Sequence, residues 1–124
     1  MSNFLYSAGG FIVAVGLLVT FHELGHFSVA RFFGVKILRF SIGFGRPLWR
    51  RYFGADQTEV VVSLIPLGGY VRMLDEREGE VVDRERARAF NRQRILVRSA
   101  IVLAGPFANF LLAALLYWTA LVIG

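Results

Sequence analysis

The sequence predicts a membrane protein made of two long apolar helices with a small β-structure between them. Of its 124 residues, 56% are hydrophobic, and the mean hydropathy of +0.55 exceeds that of an average soluble domain. All 14 Lys and Arg residues lie between Arg31 and Arg98, and outside this window Glu23 is the only charged side chain. Each apolar end is longer than the ~20 residues that cross a bilayer. One domain with a charged middle and two membrane spans follows.

The two ends of the chain are predicted to be transmembrane helices. Residues 1–33 lack the basic start and small-residue cleavage site of a signal peptide, which favours an uncleaved helix. Residues 99–124 carry no charge, and Tyr117 and Trp118 near their far end suit the membrane interface. Since basic loops stay on the cytoplasmic side, both ends of the chain are expected on the outer side.

The middle of the chain, residues 34–83, is predicted to hold short β-strands. The stretches "ILRFSIGFG" (37–45) and "EVVVSLIPLGGYVRML" (59–74) are rich in β-branched and aromatic residues, and Pro66 with Gly68–Gly69 indicates a turn. These segments predict a sheet of two to four strands. Because an open sheet edge cannot face lipid, any part that enters the membrane must be covered by protein or line a wet cavity.

Residues 84–98 are predicted to form an amphipathic helix that leads into the second span. The charges of both signs over 75–98 are typical of a solvated face. A net charge of +5 could also serve nucleic-acid binding, but no recognition motif accompanies it. Anionic lipid head groups explain the basic excess more simply, so the expected partner is a membrane and not a nucleic acid.

The strongest chemical signal is the sequence "HELGH", which places His22, Glu23 and His26 inside the first apolar segment. Ionisable groups at membrane depth are costly and usually mark a functional site. Residues i and i+4 share one helix face, so both imidazoles can address one point. This H-E-x-x-H pattern predicts a Zn²⁺ site in which His22 and His26 are ligands and Glu23 is a general base for an activated water molecule.

Other classes remain open from these residues alone. A transporter or another non-proteolytic membrane protein could bind a metal through the same two histidines, although one histidine box is too few for a multi-histidine di-metal oxidase. A membrane adaptor would use the basic middle and leave Glu23 unexplained. The absence of Cys excludes disulfides, thiolate zinc sites and cysteine nucleophiles.

Four motifs together resemble the site-2 protease family of intramembrane zinc metalloproteases over essentially the whole chain. They are "HELGHF", "RFSIGFGRPLWRR", "IPLGGYVRMLDE" and "AGPFANF". The resemblance implies that His22 and His26 bind zinc, that Glu23 is the catalytic base, and that the strands form a membrane-reentrant β-element that binds substrate. It places the β-element around Gly43–Gly45 and Ile65–Val71, and Asn109 beside the active site.

On physical grounds, the strand edge with Gly69, Tyr70, Val71 and Arg72 is predicted to hold an extended substrate by backbone pairing, with simple packing of the sheet as the alternative. Asn109 is predicted to hydrogen-bond the substrate, with a role in helix packing as the alternative.

The resemblance also implies the rest of an enzyme. Members of the family carry a third zinc ligand, an aspartate on a later helix, and PDZ domains before it. The acidic residues after Glu23 all fall in the polar middle, so the chain is expected to be the N-terminal portion of a longer bacterial inner-membrane protease and to be inactive alone. The implied substrates are single-pass membrane proteins, such as anti-sigma factors, and remnant signal peptides. Both ends of the chain would then be periplasmic.

Overall fold

The computed structural model describes residues 2–124, which form two helices joined by a two-stranded sheet. Helix α1 spans Ser2–Phe32, strand β1 Ile37–Phe53, strand β2 Thr58–Met73 and helix α2 Ile95–Ile123. Two short 3₁₀ turns, Asp83–Arg88 and Phe90–Arg92, precede α2. The predicted combination of two long apolar helices with a small sheet between them is confirmed.

Both helices are long and apolar enough to cross a membrane. At ~1.5 Å per residue, the 31 residues of α1 and the 29 residues of α2 each exceed the ~30 Å hydrocarbon core. Large apolar side chains cover their outer faces, for example Phe11 (66% exposed) and Leu103 (65% exposed). So large an apolar surface is costly in water and suits contact with lipid.

The inner faces of the two helices meet closely at Gly25. A Cβ atom added to Gly25 would lie 2.3 Å from the Ala104 carbonyl oxygen, so only glycine allows the backbones to approach this far. Nearer the sheet, the two helices contribute to the buried hydrophobic core through Ala30, Val97 and Ile101. This packing fixes the register of α2 against the face of α1 that carries the histidines.

The two strands form one antiparallel hairpin that folds back on itself, because each strand reverses direction near its middle. The sheet is therefore wider than two strands, and 39–42 lie beside 59–62 in the same direction. Phe40 has Val71 as its partner on one side and Val60 on the other. Residues 49–53 pair with 58–62, as Arg51 does with Val60. Across the sheet the segments therefore lie in the order 69–73, 37–42, 59–62, 49–53. Within the described chain, segment 69–73 pairs only with 37–42 and forms one edge of the sheet.

The bend in β1 depends on two glycines. Gly43 and Gly45 have φ angles of 89° and 87°, a region that side chains with a Cβ rarely adopt. A Cβ on Gly43 would also lie 2.7 Å from the Ile65 carbonyl oxygen. Beyond this bend, Leu48 and Leu64 are exposed, so the bent end of the sheet presents an apolar surface.

The structure differs from the sequence prediction at residues 84–98, whereas the turn predicted near Gly68–Gly69 lies close to a reversal of β2. Val62 and Gly69 both pair with Ile42, so β2 changes direction between them while staying within the sheet, and a second reversal lies at 54–57. Residues 84–98 do not form one amphipathic helix: the 3₁₀ turns occupy the first part, and α2 begins at Ile95. Ala89 interrupts the helical path with an extended backbone, and the next amide, Phe90 N–H, donates to the Leu74 carbonyl at 2.7 Å. This tertiary hydrogen bond overrides the local helical pattern.

Arg88 joins three parts of the charged middle. Its guanidinium donates to both carboxylate oxygens of Asp56 at 2.6 and 2.7 Å and to the Gly34 carbonyl at 2.9 Å. Hydrogen bonding from Arg88 holds the pKa of Asp56 below its ordinary value. The stabilisation is therefore present above the usual aspartate pKa and is lost as the pH falls through the lowered value. A bidentate pair of this kind ties the turn at 54–57 to the end of α1.

Candidate metal centre and its cavity

The two histidines of the motif converge as their spacing predicts. His22 and His26 lie one turn apart on α1, and their Nε2 atoms are 3.1 Å apart. The rings meet edge to face, with centroids 4.7 Å apart. Both side chains are half-buried against α2. Two imidazole nitrogens are thus directed at one point inside the pair of apolar helices.

Helix α2 holds both rings from the other side. The Nδ1 of His26 lies 2.6 Å from the Ile101 carbonyl oxygen, and the Nδ1 of His22 lies 3.3 Å from the Asn109 side-chain nitrogen. Between them, Gly105 leaves room for the rings, since a Cβ there would lie 2.4 Å from the His26 Nε2. Each histidine therefore has one nitrogen bound to α2 and the other free to face its neighbour.

This donor set fits zinc as part of a site. Imidazole nitrogen is a preferred zinc ligand, and a hydrogen bond at the opposite ring nitrogen usually orients such a ligand. A catalytic zinc site takes three protein ligands. Over residues 2–124, no group of three His, Asp or Glu side chains is close enough to hold a metal ion. In this part of the chain, Glu23 accordingly lies outside any such cluster.

Glu23 opens onto a cavity of about 820 Å³ between the helices and the sheet edge. The same cavity is lined by His26 and by three consecutive residues of β2, Tyr70, Val71 and Arg72. Ile101 and Val102 close it from α2. The general base candidate, one candidate ligand and the edge strand of the sheet therefore share a single chamber.

The rim of this cavity is charged. Asp75, Arg77 and Glu78 line it together with Phe90. The Arg77 guanidinium donates to the Asp75 carboxylate at 2.7 Å and holds the pKa of Asp75 below its ordinary value. The lining of the cavity thus combines apolar side chains with an ion pair close to the sheet.

The structure places the other predicted site residues in three different surroundings. Asn109 contacts His22, and Gly69 packs between the Ser41 carbonyl oxygen and Val19 of α1, where a Cβ would lie 2.5 and 3.1 Å away. Gly43 and Gly45 sit at the bend of β1 and line a separate pocket with Tyr70. Asn109 thus lies beside the histidines, Gly69 lies where the sheet meets α1, and Gly43 and Gly45 shape the sheet.

Two features of the site were not predicted from the sequence. One is the Ile101 carbonyl, which accepts a hydrogen bond from His26. The other is Gly105, whose missing side chain makes room for both rings. Pro106 was a partial sequence signal for the carbonyl contact. Proline in a helix has no amide N–H, so the carbonyl four residues earlier, that of Val102, lacks its helical hydrogen bond. The carbonyl that holds His26 is the neighbouring one.

The fold and the paired histidines place the chain in a known class of protein. Residues 10–124 match the model of Peptidase family M50, and the chain belongs to that family. This confirms the resemblance to the site-2 proteases, and with it the class of zinc proteases.

Individual relatives are similar over the whole chain. It is 54% identical to the regulator of sigma-E protease RseP of Escherichia coli and 55% identical to the protease RseP of Yersinia pestis. It is 58% identical to a protein of Xylella fastidiosa whose name assigns it provisionally to the zinc metalloproteases. These matches cover 100% of this chain and only 27%, 27% and 28% of the respective relatives. The chain thus spans about a quarter of their length and corresponds to their N-terminal part.

Proposed function

We propose that the chain supplies the metal-binding and water-activating half of an intramembrane zinc endopeptidase that cuts transmembrane segments of single-pass membrane proteins. The observation that carries this proposal is the convergence of the two histidine Nε2 atoms, 3.1 Å apart, between two apolar helices. Family membership supports the reaction class. The names of the relatives support a substrate connected with sigma-E control, of the anti-sigma-factor type, and the family resemblance adds remnant signal peptides.

In this proposal His22 and His26 are zinc ligands. The hydrogen bonds at their Nδ1 atoms orient both rings, which supports that role. When bound, zinc supplies Lewis acidity, which polarises a peptide carbonyl and makes an attacking water molecule more acidic. A third ligand comes from outside residues 2–124, and the family resemblance indicates an aspartate on a later helix. The PDZ domains and later helices are further proposed parts of the same enzyme.

Glu23 is the proposed general base. Glu23 follows His22 on α1 and lines the cavity that His26 also lines. From this position it can take a proton from the attacking water and return it to the leaving amine.

The edge of the sheet is the proposed binding place for the substrate backbone. A transmembrane helix must unwind before a peptide bond becomes accessible, and an open strand edge can pair with the extended segment. Residues 69–73 form such an edge, and Tyr70, Val71 and Arg72 line the cavity beside Glu23. Gly69 contributes by allowing the sheet to lie against α1. Gly43 and Gly45 contribute by bending β1.

We further propose an inner-membrane orientation in which the charged middle is cytoplasmic. All 14 basic residues lie in that middle, between Arg31 and Arg98. The bent end of the sheet, which exposes Leu48 and Leu64, is then the part of the sheet that re-enters the membrane. The sheet's polar end and the ion-paired rim of the cavity remain on the cytoplasmic side.

Reconstituted full-length enzyme tests this function. We expect it to cleave a fluorescent single-pass transmembrane peptide, to stop when a zinc chelator is added, and to recover when zinc is returned. His22→Ala and His26→Ala should lose both bound zinc and cleavage, whereas Ser28→Ala, an exposed neighbour on α1, should retain both. Cleavage that continues in the two histidine variants would refute the proposal.

A further inference from the structure

One carboxylate lies within the sheet, away from the histidines. Glu59 is the only acidic residue of β1 and β2, whereas the two strands together carry five arginines. Its side chain is only 13% exposed, and its Oε1 is buried. A buried carboxylate is costly unless cationic groups or hydrogen-bond donors stabilise it. The position of Glu59 is therefore maintained by its neighbours, and the positions of those neighbours depend on Glu59.

Two arginines flank the Glu59 carboxylate. The Nη2 of Arg39 lies 2.8 Å from its Oε1, and the Nε of Arg50 lies 3.7 Å from the same atom. The hydroxyl of Tyr52 donates to the other oxygen, Oε2, at 3.0 Å. Because one oxygen holds both guanidinium groups, loss of the carboxylate charge would leave two like charges close together. Arg39, whose side chain is 39% exposed, can then turn towards solvent.

Arg39 connects this carboxylate with the edge strand. Its other terminal nitrogen, Nη1, donates to the Tyr70 hydroxyl at 3.0 Å. Because a guanidinium group is planar and its donors have fixed directions, the ion pair at Nη2 helps to aim Nη1 at Tyr70. Tyr70 belongs to the edge segment 69–73 and lines both the large cavity and the smaller pocket at the bend of β1. A chain of contacts thus runs across the sheet from Glu59 to the edge strand.

We propose that Glu59 is a positioning residue for substrate binding, which acts through Arg39 on the orientation of Tyr70. With Arg39 held by Glu59, the Tyr70 side chain keeps one orientation beside the cavity. Without the carboxylate charge, Arg39 leaves the hydroxyl and the Tyr70 ring can adopt other rotamers. An extended segment then loses part of a preformed binding surface. The inference rests on the proposed pairing of substrate with segment 69–73 and adds a residue that lies outside the cavity lining.

Peptide affinity of the full-length protein tests this role separately from cleavage. The probe is a fluorescent single-pass transmembrane peptide, titrated into protein in which Glu23→Gln prevents cutting. In that background, Glu59→Gln keeps the size of the side chain and removes its charge. We expect roughly threefold to tenfold weaker binding, within the range of couplings inside one polar network. Tyr70→Phe removes only the hydroxyl that Arg39 holds and should weaken binding by a similar factor.

A double variant distinguishes positioning from a general loss of stability. If Glu59 acts through the Tyr70 hydroxyl, Glu59→Gln combined with Tyr70→Phe should bind no more weakly than either variant alone. Tyr52→Phe is the matched control, because its hydroxyl also bonds to Glu59 but lies in segment 49–53, away from the edge strand. Its affinity should be unchanged. Unchanged affinity in Glu59→Gln, multiplied losses in the double variant, or an equal loss in Tyr52→Phe would overturn the proposal.

Turnover separates this proposal from the proposed function. With Glu23 intact, Glu59→Gln should raise KM and leave kcat and zinc content unchanged, because the contacts of the two histidines are not altered. A fall in kcat or in zinc content without a rise in KM would contradict the positioning role. If the original protein binds the peptide but never cleaves it, the proposed protease fails instead, while the affinities of the variants still decide the role of Glu59.

Discussion

Gly25 and Gly105 determine how closely the histidine-bearing face of α1 approaches α2. The Cβ positions at both residues are occupied by atoms of the facing helix or of the two rings. Gly9, Gly10 and Gly16 lie on the same helix as Gly25 but have no atom within 4 Å of their Cβ positions. Glycine is therefore required at the helix contact and only tolerated nearer the start of α1.

A substitution at Gly25 tests this contact at the scale of single residues. In Gly25→Ala the new methyl group would lie 2.3 Å from the Ala104 carbonyl oxygen, so the helices must separate. We expect a loss of about 1–3 kcal/mol from overpacking, larger than the gain of up to ~1 kcal/mol in helix propensity. Thermal unfolding and zinc content of the full-length protein measure it.

Gly16→Ala is the matched control for that experiment. Its new methyl group meets no atom within 4 Å, and alanine favours a helix, so the melting temperature should stay unchanged or rise slightly. Equal melting temperatures and equal zinc contents for Gly25→Ala and Gly16→Ala would contradict the required close contact.

The residue scale also shows how far the sequence predicts the site. The convergence of His22 and His26 follows from their spacing, because it depends only on the geometry of one helix. The contacts with Ile101 and Asn109 depend on how α2 docks against α1, 75 and 87 residues away along the chain. The motif "AGPFANF" drew attention to Asn109, but no local rule predicts which nitrogen of which ring it faces.

At the scale of elements, the edge strand 69–73 is where the sheet meets the cavity. N–H groups of successive residues in an antiparallel pair point alternately towards the partner strand and away from it. Val71 and Arg72 pair with Phe40 and Arg39, so one of the two presents its backbone groups to the open edge. This alternation allows pairing within the sheet to be separated from pairing with a substrate.

Proline substitution at each of these positions tests substrate capture. Proline removes the N–H donor, so the variant at the inward-facing residue should weaken the sheet and lower the melting temperature. The variant at the outward-facing residue should keep the melting temperature near the original but impair cleavage, because one donor to the substrate is lost. Full cleavage by both variants, in folded protein, would move substrate binding away from this strand.

The elements also show where sequence rules fail. Strand segments 37–45 and 59–74 were predicted from β-branched and aromatic residues; β1 contains the first, and β2 contains the second except for Leu74. The turn predicted at Gly68–Gly69 lies close to the place where β2 reverses direction, between 62 and 69, and the glycines also allow close packing there: a Cβ on Gly68 would overlap the Phe44 ring. The helix predicted over 84–98 competes with hydrogen bonds from Phe90 and Arg88 to distant residues, which local patterns do not contain.

At the scale of the whole molecule, the distribution of charge predicts the orientation in the membrane. The chain has no Cys, so a single cysteine can report position in a full-length background freed of other cysteines. Ala55 is exposed in the turn between β1 and β2. If the charged middle is cytoplasmic, Ala55→Cys should react with an impermeant thiol reagent only after the inner membrane is opened.

The matched position for the labelling experiment is Ser2, at the start of α1. Ser2→Cys should react from the outside in cells whose outer membrane alone is permeable. Labelling of Ala55→Cys from the outside, with protection of Ser2→Cys, would reverse the proposed orientation while leaving the metal site unaffected.

The most direct measurement of the central claim is zinc content and cleavage in full-length Glu23→Gln. The substitution keeps the shape of the side chain and removes its basicity, so a protease that relies on Glu23 should keep its zinc and lose cleavage. Glu80→Gln, exposed in the charged middle, is the control and should keep both. A transporter or a structural metal site needs no base beside its ligands. Zinc-dependent cleavage that persists in Glu23→Gln would contradict the account, and loss of zinc in that variant would make Glu23 a ligand instead.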